Sequence, residues 1–228
     1  MTEISVGRKI LETNEAHAAR IRERLRGVFT LNLISSPGAG KTSLLERTAA
    51  LLRARAPELS FAVIEGDIAT DQDAERVRRQ GVKAVQINTH GDCHLDARMV
   101  AGALDQLAQL VDLSRLDLLL VENVGNLVCP TDFDLGETAK VVVASVPEGH
   151  DKPSKYPATF HAARALVVNK IDLLPYVDCD LDRLVGDARA INPRLAVFPL
   201  SCRTGEGLDA WADWLLEGVR EARKARPE

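Results

Sequence analysis

No stretch of the 228-residue sequence approaches the roughly 18 consecutive apolar residues that a membrane span needs. The opening Met-Thr-Glu-Ile-Ser-Val-Gly-Arg lacks the apolar core of a secretory signal, so a cytoplasmic protein is expected. Only four cysteines occur, and in a reducing compartment they read as thiols or metal ligands, not disulfides. An excess of positive charge is also missing. Twenty-nine lysines and arginines stand against 33 acids, for a formal net charge of −4. Nucleic-acid binders concentrate basic residues, so neither nucleic acid nor membrane is expected as a partner. The basic tail (Arg220, Arg223, Lys224, Arg226) alternates with acids and apolar residues and reads as a solvated helix end. There is no internal repeat and no low-complexity segment.

An apolar fraction of 46% is present, enough for the core of one large domain with a small appendage. Residues 8–26 are charged, with Ile10, Leu11, Ile21 and Leu25 on roughly helical spacing, and Gly27 follows. Short apolar runs rich in β-branched residues then occupy 28–34, 61–65, 84–88, 118–122, 141–146, 166–169 and 195–200. Helical stretches lie between most of them, at 41–55, 71–80, 95–110, 180–190 and 208–224. Alternating strands and helices predict an α/β fold: a mostly parallel sheet of about seven strands, flanked by helices on both faces, plus an N-terminal helix. The expected division is a helical segment over 1–26 and the α/β domain over 27–228. Ligands of such sheets bind at the carboxyl ends of the strands.

The first run leads directly into Ser35-Ser36-Pro37-Gly38-Ala39-Gly40-Lys41-Thr42-Ser43, ahead of a leucine-spaced helix. A phosphate-binding loop has Gly at its first position, where this chain has Ser35. Gly38 and Gly40 can take backbone angles that turn successive N–H groups inward around a phosphate. Lys41 would reach the β- and γ-phosphates, and the Thr42 hydroxyl would hold Mg²⁺. The run at 166–169 ends in Asn169-Lys170-Ile171-Asp172. Guanine presents two adjacent donors, N1–H and the N2 amino group, and one carboxylate accepts both; adenine lacks them. Asp172 is therefore the base reader, with the Lys170 stem covering the base and Asn169 tying this loop to the phosphate loop. Ser201-Cys202 follows the last strand, where backbone N–H groups would bind guanine O6. Together the three loops select GTP.

Asp67 and Glu122 stand at expected strand ends and are candidates for the Mg²⁺ carboxylate and for orienting the attacking water. Gly125 could serve as a γ-phosphate-sensing pivot. No catalytic glutamine or arginine finger is evident, which points to slow intrinsic turnover. Cys93-His94 opens a helix, and Cys129-Pro130 lies past the Glu122 strand. If those strand ends are neighbours, two thiolates and an imidazole could hold Zn²⁺ or Ni²⁺. An adjacent Cys-His can equally be a buried thiol beside a helix-capping imidazole, and spacing alone leaves both open. Cys179, His17, His90, His150 and His161 read as structural or solvated.

These passages, with Glu65-Gly66-Asp67, Cys93-His94-Leu95-Asp96-Ala97, Glu122-Asn123-Val124-Gly125-Asn126-Leu127-Val128-Cys129-Pro130 and Ser145-Val146-Pro147-Glu148-Gly149, resemble the HypB family over about residues 29–207. That family belongs to the SIMIBI class of P-loop GTPases and helps deliver nickel to [NiFe]-hydrogenase. The resemblance implies a GTP-hydrolysing metallochaperone that binds GTP or GDP with Mg²⁺. It also implies a Ni²⁺ or Zn²⁺ site at Cys93, His94 and Cys129, and a homodimer. The implied partners are maturation proteins such as HypA and the hydrogenase large-subunit precursor. The chain departs from some members in having no cysteine before Cys93 and no histidine-rich stretch, so nickel handling is expected at the internal site alone. UreG, a urease chaperone, is an alternative that the Glu-Asn-Val-Gly-Asn and Cys-His passages disfavour. A nucleotide-dependent dimerisation module stapled by metal is another.

Overall fold

The computed structural model describes residues 6–67, 76 and 78–226, and for residues 6–10 and 67 the backbone alone. Its sheet has seven strands: β1 (Phe29–Ser35), β2 (Phe61–Asp67), β3 (Lys83–Asn88), β4 (Leu118–Gly125), β5 (Ala139–Ser145), β6 (Ala163–Asn169) and β7 (Ala196–Pro199). They run in the order β3-β2-β4-β1-β5-β6-β7, and every neighbouring pair is parallel. Such a sheet must be covered on both faces. All seven residues of β1 are accordingly buried, although Thr30, Asn32 and Ser35 are polar.

On one face lie α2 (Lys41–Arg55) and the C-terminal helix α7 (Leu208–Arg223), packing Leu44, Leu45, Leu52, Trp211 and Leu215 onto the central strands. The Trp211 indole donates to Thr48 Oγ1 at 2.9 Å and joins the two helices. On the other face, α1 (Val6–Arg24) and α3 (Ala97–Leu107) cover β2 and β4. Two short helices, α4 (Lys152–Lys155) and α5 (Pro157–Ala162), precede β6, and α6 (Leu181–Ile191) packs over β5 and β6. Neither short helix was expected, because six residues or fewer carry no helical period. The helix expected over 71–80 falls largely outside the described residues.

Two expectations are corrected. The buried face of α1 comprises Asn14, Ala18 and Ile21, and Leu25 continues it in the turn after the helix, whereas Leu11 shares the three-and-four spacing but is 41% exposed. Burying Ile21 and Leu25 contributes roughly 1.5–3 kcal/mol each. Glu122 is not at a strand end, since β4 continues to Gly125. It stands inside the strand, beside Leu33 of β1 and Glu65 of β2. That register sets it next to the loop that leaves β1.

Candidate functional site

β1 is the central strand of the order, and the loop leaving it opens a cleft of about 470 Å³. Gly38, Gly40, Lys41, Thr42 and Ser43 line one wall; Glu65, Glu122 and Gly125 face them. Gly40 has φ +96°, and a Cβ there would meet the Asn169 amide nitrogen at 2.5 Å, so only glycine fits. α2 starts at Lys41 without any side-chain cap on its first N–H groups. Those donors and the positive end of the helix dipole point into the cleft, where an anion would satisfy them. The buried Lys41 ammonium donates to Ser35 Oγ at 2.7 Å. The Thr42 hydroxyl donates to Glu122 Oε1 at 3.1 Å. Asp67 ends β2, but its side chain lies outside the described residues.

A second cleft of about 410 Å³ adjoins the first, sharing Gly40, Ser43 and Lys170. Asn169 Nδ2 donates to the Ala39 carbonyl at 3.0 Å, and Lys170 Nζ to the Gly38 carbonyl at 2.7 Å, so the 169–172 segment is fastened to the phosphate loop twice. Lys170 adopts φ +64°, a left-handed angle that turns its stem back across the loop. Asp172 lines this cleft, with Cys202 and Arg203 opposite. Ser201 stands behind the wall, fully buried, donating to Asp172 Oδ1 at 2.6 Å and accepting from the amides of Arg203 and Thr204. Its role in this geometry is to aim the carboxylate. Burial pushes the Cys202 thiol up to about 11, so it stays protonated and packs against the core.

Cys93, His94 and Cys129 converge. Their ligand atoms all lie within 4.8 Å of one another, and Cys93 Sγ is 3.5 Å from His94 Nδ1. The neighbouring Cys129 sulfur raises the Cys93 thiol above its ordinary value, with burial adding a little in the same direction. Cys93 is exposed, so the cluster is reachable from solvent. Two soft sulfurs and one imidazole form a donor set suited to Zn²⁺ or Ni²⁺. The Phe133 ring packs on His94, with centroids 4.0 Å apart and planes at 41°.

A buried polar chain links the two regions. Asn123, next to Glu122, accepts from the Leu95 amide at 3.0 Å, next to His94. Its amide nitrogen donates to Asn32 Oδ1 at 3.1 Å, and Asn32 Nδ2 donates to Glu137 Oε1 at 3.4 Å. Lys140 lies 3.7 Å from that carboxylate and donates to the Thr131 carbonyl at 2.6 Å, two residues beyond Cys129. Burial drives the Glu137 carboxyl upward, against the pull of Lys140. Sequence reasoning assigned no role to Asn32, Asn123 or Glu137, because a polar residue in an apolar run looks like an interruption until its partners are known. Arg76 was also missed: it lines the phosphate cleft, paired with Glu46 at 2.7 Å, inside a stretch crowded with charges. So was Lys152, whose ammonium reaches Ser36 Oγ at 3.4 Å and Glu148 at 3.4 Å.

Residues 29–199 match the family described as CobW/HypB/UreG, nucleotide-binding domain. The hydrogenase maturation factor HypB of Azotobacter vinelandii is 52% identical over 214 residues, covering 93% of this chain and 68% of that protein. The chain belongs to the HypB family. Two solved HypB structures share its fold. HypB from Helicobacter pylori in complex with nickel superposes with a TM-score of 0.85 at 38% identity, covering 94% of this chain and 98% of that one. Hydrogenase maturation factor HypB from Archaeoglobus fulgidus gives 0.82 at 40% identity, covering 91% and 99%. The phosphate loop, the 169–172 loop and Cys129 all fall within the matched domain. Among the described residues no helix is long and apolar enough to cross a membrane.

Proposed function

We propose that the chain is a GTP-hydrolysing metallochaperone that couples GTP binding and hydrolysis to nickel delivery during maturation of [NiFe]-hydrogenase. The observation that carries this reading is the position of Asn123. It adjoins Glu122 on the wall of the phosphate cleft and holds the backbone of Leu95, next to His94, through a 3.0 Å hydrogen bond. A change at the nucleotide therefore has a short, buried route to the metal ligands. The relatives support the cargo: they are named as hydrogenase maturation factors, and one was solved with nickel.

In this reading the amides of residues 38–43 and the Lys41 ammonium hold the triphosphate, and Asp172 reads guanine through its two adjacent donors. Adenine would leave that carboxylate facing an acceptor, at the cost of an unpaired buried group. The donor set of Thr42 and Glu122, 3.1 Å apart on the cleft wall, fits Mg²⁺, with Asp67 as a further carboxylate. Held there, Mg²⁺ would supply positive charge against the phosphate oxygens. Cys93, His94 and Cys129 take Ni²⁺ or Zn²⁺ as cargo. The same residues require reduced thiols, which supports a cytosolic location. The 1–26 segment precedes a P-loop domain over 27–228. The assembly is a homodimer that meets HypA and the hydrogenase large-subunit precursor.

The reading is tested by phosphate release from GTP with Mg²⁺ and by complementation of a strain lacking its maturation GTPase. Slow, GTP-specific turnover and restored hydrogenase activity are expected. Turnover of ATP as fast as of GTP, or rescue of urease but not of hydrogenase, would contradict it.

A further inference from the structure

α1 reaches both halves of the metal cluster through one side chain. Asn14 is 7% exposed, and its amide is used at both ends. Nδ2 donates to the Asp134 carbonyl at 2.8 Å, and Oδ1 accepts from the Ala97 amide at 2.8 Å. Ala97 lies three residues after His94, and Asp134 five residues after Cys129. The Ala97 N–H opens α3 and has no carbonyl within its own helix. The Asp96 carboxylate is already engaged with the Met99 amide at 2.7 Å, so the acceptor comes from another element. On the second half, Arg22 of the same helix meets Asp134 Oδ2 at 2.5 Å, and Gly136 packs so closely on Ile21 that a Cβ there would approach it to 2.7 Å. Phe133 sits between these ties and His94.

We propose that Asn14 is a positioning residue for the cluster of Cys93, His94 and Cys129, and that α1 sets the separation of the two segments carrying those ligands. The inference rests on the metal reading given above. One buried amide bridges two segments that share no strand, and it does so within five residues of a ligand on each side. Losing it removes the side chain that bonds both segments, so the 129–134 turn keeps its ties to Arg22 and Lys140 but loses its direct link to the segment after His94. The ligands would then need to be gathered at the moment of binding. Groups bonded directly to a metal ligand change affinity by about 10- to 100-fold when lost, and a bridge that touches the ligand-bearing segments but no ligand should change it less, by about 3- to 10-fold.

Nickel and zinc dissociation constants should be measured by chelator competition on the full chain, its Asn14→Ala variant and Leu25→Ala. Leu25 is buried in the turn just after α1 and makes neither bond, so its truncation removes core packing while leaving the helix's ties to the two segments in place. Asn14→Ala is expected to bind both metals about 3- to 10-fold more weakly, with GDP affinity unchanged. Its thiolate-to-nickel charge-transfer band at saturating nickel is expected to differ from that of the parent chain. Leu25→Ala is expected to lower Tm while keeping metal affinity and the band. Parental affinity in Asn14→Ala, or an equal loss in Leu25→Ala, overturns the inference and leaves the metal reading standing. Failure of the parent chain to bind either metal overturns both.

Discussion

Thr42 and Glu122 are 80 residues apart in the chain and meet at 3.1 Å, hydroxyl donating to carboxylate, on facing walls of the phosphate cleft. The contact exists because parallel β1 and β4 pair in a register that sets Glu122 beside Leu33, immediately before the loop. Removing either group should affect turnover more than nucleotide affinity. Glu122→Gln keeps the shape and loses the charge. Single-turnover hydrolysis is expected to fall roughly 100-fold, with GDP binding in the absence of Mg²⁺ unchanged.

Guanine selection should follow the Asp172 carboxylate. Ser201 aims it, through a 2.6 Å hydrogen bond, at a cleft also lined by Lys170 and Cys202. Asp172→Asn should lower GTP affinity by roughly 100-fold or more and favour xanthosine nucleotides, whose base offers an acceptor at that edge. Competition binding with GTP, XTP and ATP checks this, and unchanged selectivity would count against the assignment.

The thiols should separate by reactivity. Burial holds Cys202 at about 11, whereas Cys93 is exposed. A thiol reacts as its thiolate, so at neutral pH Cys202 should be alkylated last, and its rate should climb as pH approaches that value. Site-resolved mass spectrometry after timed iodoacetamide treatment reads both. Bound GDP should slow Cys202 further.

At the opposite ends of the strands, the buried Asp117 carboxylate meets Arg223 at 2.7 Å and Arg226 at 3.2 Å and accepts from the Ser60 amide at 3.1 Å. Burial pushes its carboxyl upward, but the Arg223 hydrogen bond, the Ser60 amide and the two guanidinium charges outweigh it, leaving it below the ordinary aspartate value. A folded-state value depressed in this way contributes stability above the unfolded value and loses it as pH falls through the folded one. Asp117→Ala should therefore cost about 2–3 kcal/mol at neutral pH. The gap should close in acid, below the ordinary aspartate range. Urea unfolding across pH measures it.

Much of the sheet was legible in the sequence because buried parallel strands are apolar on both faces, as 118–121 and 141–144 are. α2 was legible at both ends, since Gly-Lys-Thr opens it and its leucines keep a helical period. Boundaries elsewhere moved by a few residues: β6 begins at Ala163, where Arg164 interrupts the apolar run. The phosphate and base loops could be read because their chemistry is local to a few consecutive residues. The convergence of Cys93 and His94 with Cys129 was conditional on neighbouring strand ends and was otherwise implied only by the family resemblance. It depends on β2 lying between β3 and β4, an order that no local pattern encodes. The same holds for Asn14, whose partners are 83 and 120 residues away.

The central claim is that nucleotide state and metal occupancy are coupled, and such coupling is reciprocal in binding free energy. The most direct test is the nickel dissociation constant of the purified chain, measured once with GDP and once with a non-hydrolysable GTP analogue, both with Mg²⁺. The account predicts different nickel affinities in the two states, matched by an equal nickel-dependent change in the ratio of nucleotide affinities. Identical nickel affinity in both forms would contradict it.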